Sequence, residues 1–287
     1  MDLMTFEEKR RKFLPKVPRA VGEPTAYIEG YPTEDDEPMS ATERHGYQIV
    51  TLSYQLRHYF RDTTPAYVGT DSFVYYREGD RSKFVAPDVY VALGPPPTPL
   101  RRSFYTWAEG AVPTVVFEFL SDSTAKADRG EKLRRYFAEI GIHEYFIHQP
   151  DAERPFEFRG WQWREEEYEE ISPDERGALY SDALNLYFWV EDIPDDKLRL
   201  MRPYLPDGTP IPTYDELQAE RKAAKAQAEA TQARAELAEE RSRVAEARTE
   251  AAEALVETLL ETNASRIAEL EAEMTRLRET LERQNRS

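Results

Sequence analysis

Residues 83–94, KFVAPDVYVALG, and residues 113–121, PTVVFEFLS, decide the fold of this chain. Both stretches are short, apolar and rich in β-branched residues, which is the pattern of buried strands. Each contains one acidic residue, Asp88 in the first and Glu118 in the second. Burying an ionised carboxylate costs several kcal/mol, so the fold tolerates it only beside a compensating partner. Two such carboxylates on consecutive strands predict a divalent metal site.

A helix is predicted directly after the Glu118 strand. Its apolar face carries four residues at helical spacing: Leu133, Tyr136, Phe137 and Ile140. Asp128 is the expected N-cap, Glu131 completes a capping box, and Gly141 is the expected C-terminal stop. Lys132 therefore falls in the first turn, where the helix dipole disfavours a cation. A lysine in that position, close to two carboxylates, indicates a functional role.

The series PDVYVALG, VVFEFLS and STAKADRGEKLRRYFAEIGIHEYFIHQP resembles the Uma-type restriction endonuclease family of the PD-(D/E)XK nuclease superfamily. The resemblance covers roughly residues 40–190, and the order and spacing of the motifs make it specific. It implies an α/β fold with a restriction-endonuclease-like core, in which helices flank a central mixed sheet. It also implies that Asp88 and Glu118 are ligands of Mg²⁺.

The chain departs from the usual superfamily motif at Leu120, where a lysine would normally stand two residues after Glu118. In this family the lysine is expected on the following helix, which makes Lys132 the candidate. Lys126 is the competing candidate, because it could reach the same space from the preceding loop.

The chemistry expected of these groups is hydrolysis of nucleic-acid phosphodiester bonds, with DNA as the expected substrate. Carboxylate oxygens suit Mg²⁺ or Mn²⁺, and Mg²⁺ usually takes only one or two carboxylates from a protein. Lys132 would orient the attacking water or stabilise the developing negative charge. A purely structural interpretation stays open for each residue: Asp88 as a turn residue, Glu118 paired with Arg134, and Lys132 solvated.

The composition limits the other possible functions. The 287-residue chain contains no cysteine, which excludes disulfides, thiolate metal sites and cysteine nucleophiles. No stretch approaches the length of a membrane span, and the N-terminus lacks the apolar core of a signal peptide. These features predict a soluble cytoplasmic protein with no membrane partner.

The net charge of −17 is unusual for a nuclease. Residues 213–287 contain 12 Lys+Arg and 17 Asp+Glu, a net of −5, which leaves −12 for the rest of the chain. Because phosphate binding normally needs a basic surface, the charge favours an alternative function, a non-catalytic interaction protein that retains the nuclease fold. Binding of DNA would otherwise rely on a local basic strip formed by Arg101, Arg102, Arg129, Arg134 and Arg135.

Three segments are predicted along the chain. Residues 1–38 are a loop-rich segment, and residues 39–205 are the nuclease-like domain. The domain begins with a helix whose apolar side is marked by Tyr47, Val50, Tyr54 and Leu56. Glu43, at the start of this helix, is a possible accessory metal ligand, although a solvated glutamate is the preferred interpretation. His45 could approach the site, but a structural role is preferred.

The last segment, residues 213–287, is predicted as one long helix. Thr213 and Glu216 form a capping box, and neither Pro nor Gly occurs from there to Gln284. Eight residues alternate at spacings of four and three: Val256, Leu260, Asn263, Ile267, Leu270, Met274, Leu277 and Leu281. This spacing is typical of a left-handed coiled coil. The sequence therefore predicts a homodimer that forms through the C-terminal helix.

Overall fold

The computed structural model describes residues 28, 30–32, 42–63, 65–121, 130–165 and 167–284, with the backbone alone for residues 280–284. The chain forms two compact units, Met1–Leu217 and Gln218–Ser287. Among the described helices, none is both long enough and apolar enough to cross a membrane.

Helices and strands are mixed along the described chain, as in α/β proteins. The helices are α1 Glu43–Phe60, α2 Thr106–Glu109, α3 Glu131–Arg134, which continues as a π-helix over Arg135–Ile140, and α4 Tyr214–Gln284. The strands are β1 Ala66–Thr70, β2 Phe73–Tyr75, β3 Phe84–Val85, β4 Val89–Leu93, β5 Ser103–Tyr105, β6 Val115–Phe119, β7 Glu144–His148, β8 Phe158–Arg164, β9 Glu167–Glu170, β10 Leu179–Ser181, β11 Leu186–Ile193 and β12 Leu198–Tyr204. A short 3-10 helix spans Pro194–Asp196.

The central sheet has six strands in the order β1-β4-β6-β7-β8-β9. Its neighbouring strands are antiparallel, except for β6 and β7, which are parallel. A parallel pair needs a crossover connection, and α3 with the π-helix lies in that connection. Two three-stranded sheets, β10-β11-β12 and β3-β2-β5, complete the set. The predicted α/β class, with a mixed sheet, flanking helices and a long C-terminal helix, is confirmed.

The two faces of the central sheet bury different side chains, because side chains alternate along each strand. Odd-numbered residues of β4 and β6 pack in one cluster with α1 and the β10-β11-β12 sheet: Val89, Val91, Val115 and Phe117 with Leu52, Leu56, Leu186 and Phe188. Even-numbered residues pack in a second cluster with α3 and the π-helix: Tyr90, Ala92 and Val116 with Leu133, Tyr136 and Ile140. Glu118 follows the even-numbered set and therefore faces α3.

The buried side of α1 differs from the expected one. Leu56 is buried as predicted, but Tyr47 and Val50 are exposed. The reason is that the buried side includes a polar residue, Gln48, whose amide group bonds both the backbone N–H and the carbonyl of Met201, at 2.8 and 3.0 Å. The Gln48 amide is hydrogen-bonded in the core at both its oxygen and its nitrogen, because it takes the place of a backbone partner. A prediction of the buried side of α1 from hydrophobicity alone therefore omits it.

The part of residues 1–38 that the structure describes contacts the β3-β2-β5 sheet. Ile28 and Tyr31 pack against a cluster of aromatic side chains: Phe73, Tyr75, Phe84, Tyr105 and Trp107. The backbone N–H of Ile28 donates to the Tyr105 hydroxyl at 3.1 Å, and the Tyr75 hydroxyl donates to the carbonyl of Pro32 at 2.6 Å. These aromatic residues are thus committed to packing and hold the chain that precedes α1.

The long helix α4 begins with the predicted capping box. The N–H of Glu216 donates to the Thr213 hydroxyl at 3.2 Å, and the N–H of Thr213 donates to the Glu216 carboxylate at 2.8 Å. The same carboxylate accepts two hydrogen bonds from Arg202 on β12, at 2.8 and 3.1 Å. These hydrogen bonds attach the first turn of α4 to the β10-β11-β12 sheet.

Candidate active site

Glu118 is the buried centre of the candidate site. Its residue surface is only 2% exposed, although it is a carboxylate on the central strand β6. Both of its oxygens contact the helical segment that follows. Oε2 lies 3.2 Å from Nζ of Lys132, and Oε1 accepts a 2.6 Å hydrogen bond from the hydroxyl of Tyr136. The predicted partner Arg134 is exposed and is not the cation that compensates Glu118.

Lys132 and Tyr136 reach the same carboxylate because they are four residues apart on one helical face. Lys132 lies in α3, and Tyr136 lies in the π-helix, where π-turns are frequently found at functional sites. Gly141 ends the segment in the left-handed conformation, as predicted. The helix start differs from the prediction: Gly130 is the N-cap of α3 and provides no side-chain cap, and Asp128 lies outside the described residues.

Burial raises the pKa of the Tyr136 hydroxyl well above its usual value, and the negative charge of Glu118 adds to the increase. The charge of Asp88 raises this pKa as well, which places both carboxylates close to the same hydroxyl. Tyr136 consequently stays protonated and remains a hydrogen-bond donor to Glu118. Its hydrogen bond holds one oxygen of the Glu118 carboxylate in place.

Asp88 lies immediately before β4 rather than within it. Val89 pairs with Phe117 in the antiparallel ladder, so the residue before Val89 lies beside the residue after Phe117, which is Glu118. Oδ2 of Asp88 accepts a 2.5 Å hydrogen bond from the N–H of Phe119. The strand register therefore brings the two predicted carboxylates to the same end of neighbouring strands.

His45 connects α1 to this site. Its Nε2 lies 3.1 Å from Oδ1 of Asp88, and both side chains are largely buried. Asp71 also approaches the pair, because its N–H donates to the backbone carbonyl of Asp88 at 3.3 Å. Although Asp71 is exposed as a residue, desolvation raises the pKa of its carboxyl group, the charge of Asp88 raises it further, and His45 opposes the shift. His45 and Asp71 thus enlarge the predicted site.

The donor atoms fit a small divalent cation of the Mg²⁺ type. Asp88 and Glu118 offer carboxylate oxygens, the hard ligands that Mg²⁺ prefers, and two protein carboxylates are its usual share. No cluster of three or more His, Asp or Glu side chains able to hold a metal occurs in the described part of the chain. A cation here would depend on these two carboxylates together with water.

The other candidate residues have different positions. Glu43 is exposed and lines an open groove with Arg44, Tyr47 and Asp196, whereas His45, two residues later, contacts Asp88. Lys126, the competing lysine, lies outside the described residues. Sequence reasoning assigned Tyr136 to the core and preferred a structural role for His45. The sequence feature that could have identified both residues is their position, because His45 lies on a helix before the strands of Asp88 and Glu118 in the chain and Tyr136 on the helical segment after them.

The predicted basic strip is wrong in one member. Arg101 is buried, and its guanidinium donates two hydrogen bonds to Glu109, at 2.5 and 2.9 Å. It also lies over the ring of Tyr67, 4.1 Å from the centroid. Arg101 is therefore neutralised inside the fold, because sequence spacing does not reveal that Glu109 returns to it from α2. The other members of the strip differ in their positions: Arg135 is paired with Glu131, Arg102 and Arg134 are exposed, and Arg129 lies outside the described residues.

A buried histidine and a buried glutamate on β7 have structural roles. His148 contacts the backbone carbonyls of Glu157 and Arg199, at 3.2 and 2.7 Å, and burial lowers its pKa to about 4. Glu144 accepts hydrogen bonds from the Ser181 hydroxyl and from the N–H of Ala183. These contacts commit both side chains to the core.

Comparisons with known proteins identify the family of this chain. A crystal structure described as a putative nuclease belonging to DUF820 from Anabaena variabilis ATCC 29413 is 17% identical, with 63% of this chain and 92% of that chain covered. Its TM-score is 0.36, so the family assignment does not rest on this likeness. None of the curated proteins is significantly similar. The family model Uma2, "Putative restriction endonuclease", matches residues 21–187, more than half of the chain. The chain therefore belongs to the Uma2 family of restriction-endonuclease-like proteins.

Proposed function

We propose that this protein is a metal-dependent endonuclease that hydrolyses phosphodiester bonds of DNA. One observation supports this function above the others: the ammonium group of Lys132 lies 3.2 Å from a carboxylate oxygen of the buried Glu118, beside Asp88. A lysine and two carboxylates at one end of two neighbouring strands are the groups that metal-assisted phosphodiester hydrolysis requires. Membership of a family described as restriction endonucleases supports the same reaction class.

In this proposal, Asp88 and Glu118 hold Mg²⁺ or Mn²⁺. The ion, when bound, neutralises charge on the scissile phosphate and lowers the pKa of a coordinated water. Lys132 contacts Glu118 and is partly exposed, so its ammonium group can turn toward the phosphate and stabilise the developing negative charge. His45 and Tyr136 orient the two carboxylates through the hydrogen bonds that they make to them.

DNA is the proposed substrate because the family description names restriction endonucleases. The net charge of −17 means that any attraction to phosphates must be local. Arg134 is exposed on the helix that carries Lys132, and Arg102 is exposed on the β5 side of the fold. Arg101 is buried against Glu109, so among the described residues of the strip the exposed arginines are these two.

The test measures metal binding and cleavage on the same preparations. Wild type, Asp88→Asn, Glu118→Gln and Lys132→Ala are titrated with Mn²⁺ in a calorimeter and assayed on plasmid, linear DNA and RNA with Mg²⁺. Asp80→Asn is the matched control, because Asp80 is an aspartate in the β2–β3 turn that caps Ser82 and lies outside the site. Circular dichroism verifies that each variant is folded.

We expect both carboxylate variants to lose Mn²⁺ binding and cleavage, with Asp80→Asn unchanged. Equal Mn²⁺ binding by wild type and Asp88→Asn would remove the metal site. Absence of cleavage by a wild type that binds Mn²⁺ tightly would favour the alternative function, a non-catalytic protein that recruits partners. Cleavage of RNA but not DNA would retain the chemistry and change the substrate.

We also infer that the protein is a homodimer that forms through α4, as the coiled-coil spacing predicts. Support comes from the composition of the 71-residue helix, because most helical stability in proteins comes from packing of an apolar face against a neighbour. Two active sites in one dimer could cut both strands of a duplex in one encounter. A cytoplasmic location stays a prediction of the sequence.

A further inference from the structure

The second half of α4 presents an exposed apolar stripe. Its large side chains are between 45% and 64% exposed: Val256, Leu260, Ile267, Leu270, Met274 and Leu277. From Val256 to Leu277 the stripe extends for roughly 32 Å along the helix. Contiguous exposed apolar surface of this kind marks an interaction site.

The spacing of the stripe assigns each residue to a position in a heptad. Leu260, Ile267 and Met274 take position a, and Val256, Leu270 and Leu277 take position d, together with Asn263. A strict 3.5-residue repeat produces a left-handed supercoil of helices. Ile267 at a and Leu270 at d, in the middle of the stripe, are the combination that favours two parallel strands. The apolar surface is therefore shaped to bind another helix with the same repeat.

The charges that flank the stripe indicate that the other helix is a second copy of this chain. Arg266 and Glu273 take position g, and Glu271 and Arg278 take position e. In a parallel pair, each g residue faces the e residue that lies five positions later in the second copy. Arg266 then faces Glu271, and Glu273 faces Arg278, so both charged pairs have opposite signs. The remaining flanking pair, Leu259 at g and Ala264 at e, is uncharged. Within one helix Arg266 also contacts Glu269 at 2.9 Å, an exposed pair that is weak enough for Glu271 of a second copy to compete with it.

Asn263 distinguishes a parallel from an antiparallel pair. In a parallel, in-register pair, equivalent d positions lie opposite each other, so the two Asn263 side chains meet and can exchange an amide hydrogen bond. An antiparallel pair that packs position a against position d, with Ile267 opposite Leu270, places Asn263 against Met274 instead. Burying an amide against a thioether leaves it unsatisfied, which is unfavourable. The flanking charges are of opposite sign in both arrangements and do not distinguish them. The orientation of the two helices therefore depends on Asn263.

We propose that residues 256–278 of α4 form a parallel, in-register two-stranded coiled coil with a second copy of the chain, with orientation set by pairing of the two Asn263 side chains. This inference rests on the homodimer proposed above and names the orientation of the partner. Both chains then enter the coiled coil from the same end. The inference is independent of nuclease activity, so an inactive protein would still test it.

The absence of cysteine from the chain allows a direct test by disulfide trapping in the full-length protein. Leu260→Cys and Leu277→Cys are made separately, one of them with a size tag, and oxidised with glutathione disulfide. A parallel pair places position 260 of one chain beside position 260 of the other, and position 277 beside position 277. When the two variants are unfolded together, refolded as a mixture and oxidised, an antiparallel pair instead joins position 260 to position 277.

We expect each single variant to form a disulfide-linked dimer and the mixture to form no tagged–untagged product. A predominant tagged–untagged disulfide would overturn the parallel orientation. A protein that is monomeric in light scattering at micromolar concentration, and that forms no disulfide, would overturn the coiled coil altogether and with it the homodimer. Loss of cleavage, with the expected disulfides, would contradict only the nuclease proposal.

Charge exchange provides an independent reading of orientation. Arg266→Glu should weaken the dimer roughly tenfold in dissociation constant, because it removes two ion pairs and creates two repulsive ones. Adding Glu271→Arg should restore the affinity in a parallel pair. Adding Glu273→Arg should not, because it creates a further repulsion with Arg278. Rescue by Glu273→Arg in place of Glu271→Arg would show the antiparallel arrangement.

The asparagine itself is tested by Asn263→Leu. In a parallel pair, this change should strengthen association and allow the tagged–untagged disulfide to appear, because nothing then penalises the antiparallel arrangement. If the cysteine variants that carry Asn263→Leu form the same disulfides as those that retain Asn263, the role assigned to Asn263 is contradicted. The matched control is Thr262→Leu, because Thr262 is exposed and lies next to Asn263. Asn185→Leu is not suitable, because Asn185 has a left-handed backbone conformation.

Discussion

The hydroxyl of Tyr136 donates a 2.6 Å hydrogen bond to Oε1 of Glu118, while Lys132, one helical turn earlier, contacts Oε2 of the same carboxylate. One helical segment therefore satisfies both oxygens of a carboxylate that the central sheet buries. Asp88 receives its partners from other elements, the N–H of Phe119 and the imidazole of His45. The two carboxylates are thus held independently, and each can be perturbed without direct change to the other.

Tyr136→Phe should lower the free energy of unfolding by about 1–3 kcal/mol, because it removes a hydrogen bond from an oxygen of the buried Glu118. Urea denaturation at neutral pH measures the change. Tyr90→Phe is the matched control, since that buried tyrosine loses a 3.2 Å contact with the Ser72 hydroxyl and none with a carboxylate of the site. Equal stability of Tyr136→Phe and wild type would show that Glu118 does not depend on this donor.

His45→Ala should weaken Mn²⁺ binding about tenfold or more, as is usual when a residue that orients a metal ligand is removed. The reason is that Asp88 then loses the contact that fixes Oδ1. Titration calorimetry measures the affinity. His58→Ala, on the same helix but stacked on Tyr54, should bind Mn²⁺ like the wild type. An unchanged affinity for His45→Ala would assign His45 to packing alone.

Lys132→Met should abolish cleavage and leave Mn²⁺ affinity equal to or higher than that of the wild type. Its ammonium contact to Glu118 competes with a bound cation, and its catalytic contribution belongs to the transition state. Calorimetry and plasmid cleavage separate the two effects. Lys83→Met, which breaks a surface pair with Glu139, is the control. If Lys126→Met is the inactive variant instead, the catalytic lysine is Lys126.

Much of the architecture could be predicted because it depends on local pattern. Short apolar runs rich in β-branched residues identified β4 and β6, and the preference of glycine for the left-handed conformation identified the end of the helical segment at Gly141. The capping box identified the start of α4, since Thr213 and Glu216 are only three residues apart. These features are specified within a few residues of sequence, where periodicity and capping preferences operate.

The missed features depend on tertiary contacts: two join residues that are distant in sequence, and one joins Arg101 to Glu109, eight positions later. Gln48 occupies the core because Met201, on β12, provides both backbone partners. His45 joins the site because the fold brings it to Asp88, 43 positions later in the chain. Arg101 is buried because Glu109 folds back onto it. A single sequence does not contain these juxtapositions, because each requires the tertiary arrangement of the elements.

Glu144→Gln should change the pH dependence of stability. Burial raises the pKa of Glu144 from its ordinary value of 4.5 to about 7, so the folded protein binds one more proton than the unfolded chain between these values. The wild type therefore loses stability as the pH rises through this window, whereas a glutamine does not titrate. The stability of the variant relative to the wild type should increase by on the order of 3 kcal/mol between pH 4.5 and pH 7.

Urea unfolding of both proteins at several pH values measures this difference. His148, whose pKa burial lowers to about 4, loses its contribution as the pH falls below its ordinary value of 6.5. Its effect is common to both proteins and cancels in the comparison. A difference that stays constant between pH 4.5 and pH 8 would show that the pKa of Glu144 is the same in the fold as in the unfolded chain.

Truncation at two neighbouring positions should separate the start of α4 from the rest of the helix. A chain that ends after Leu217 retains the Glu216 carboxylate, which accepts 2.8 and 3.1 Å hydrogen bonds from the buried Arg202. A chain that ends after Pro212 loses this carboxylate and leaves Arg202 paired with Glu191. We expect the shorter chain to be less stable by about 1–3 kcal/mol, because a buried charge has lost a partner.

All four tryptophans lie before residue 217, so their fluorescence in urea reports the first unit alone. Both truncated chains should be monomeric in light scattering because they lack the apolar stripe. Equal stability of the two would contradict a stabilising role for the Arg202–Glu216 pair, and a dimer of either would place a second interface in the first unit.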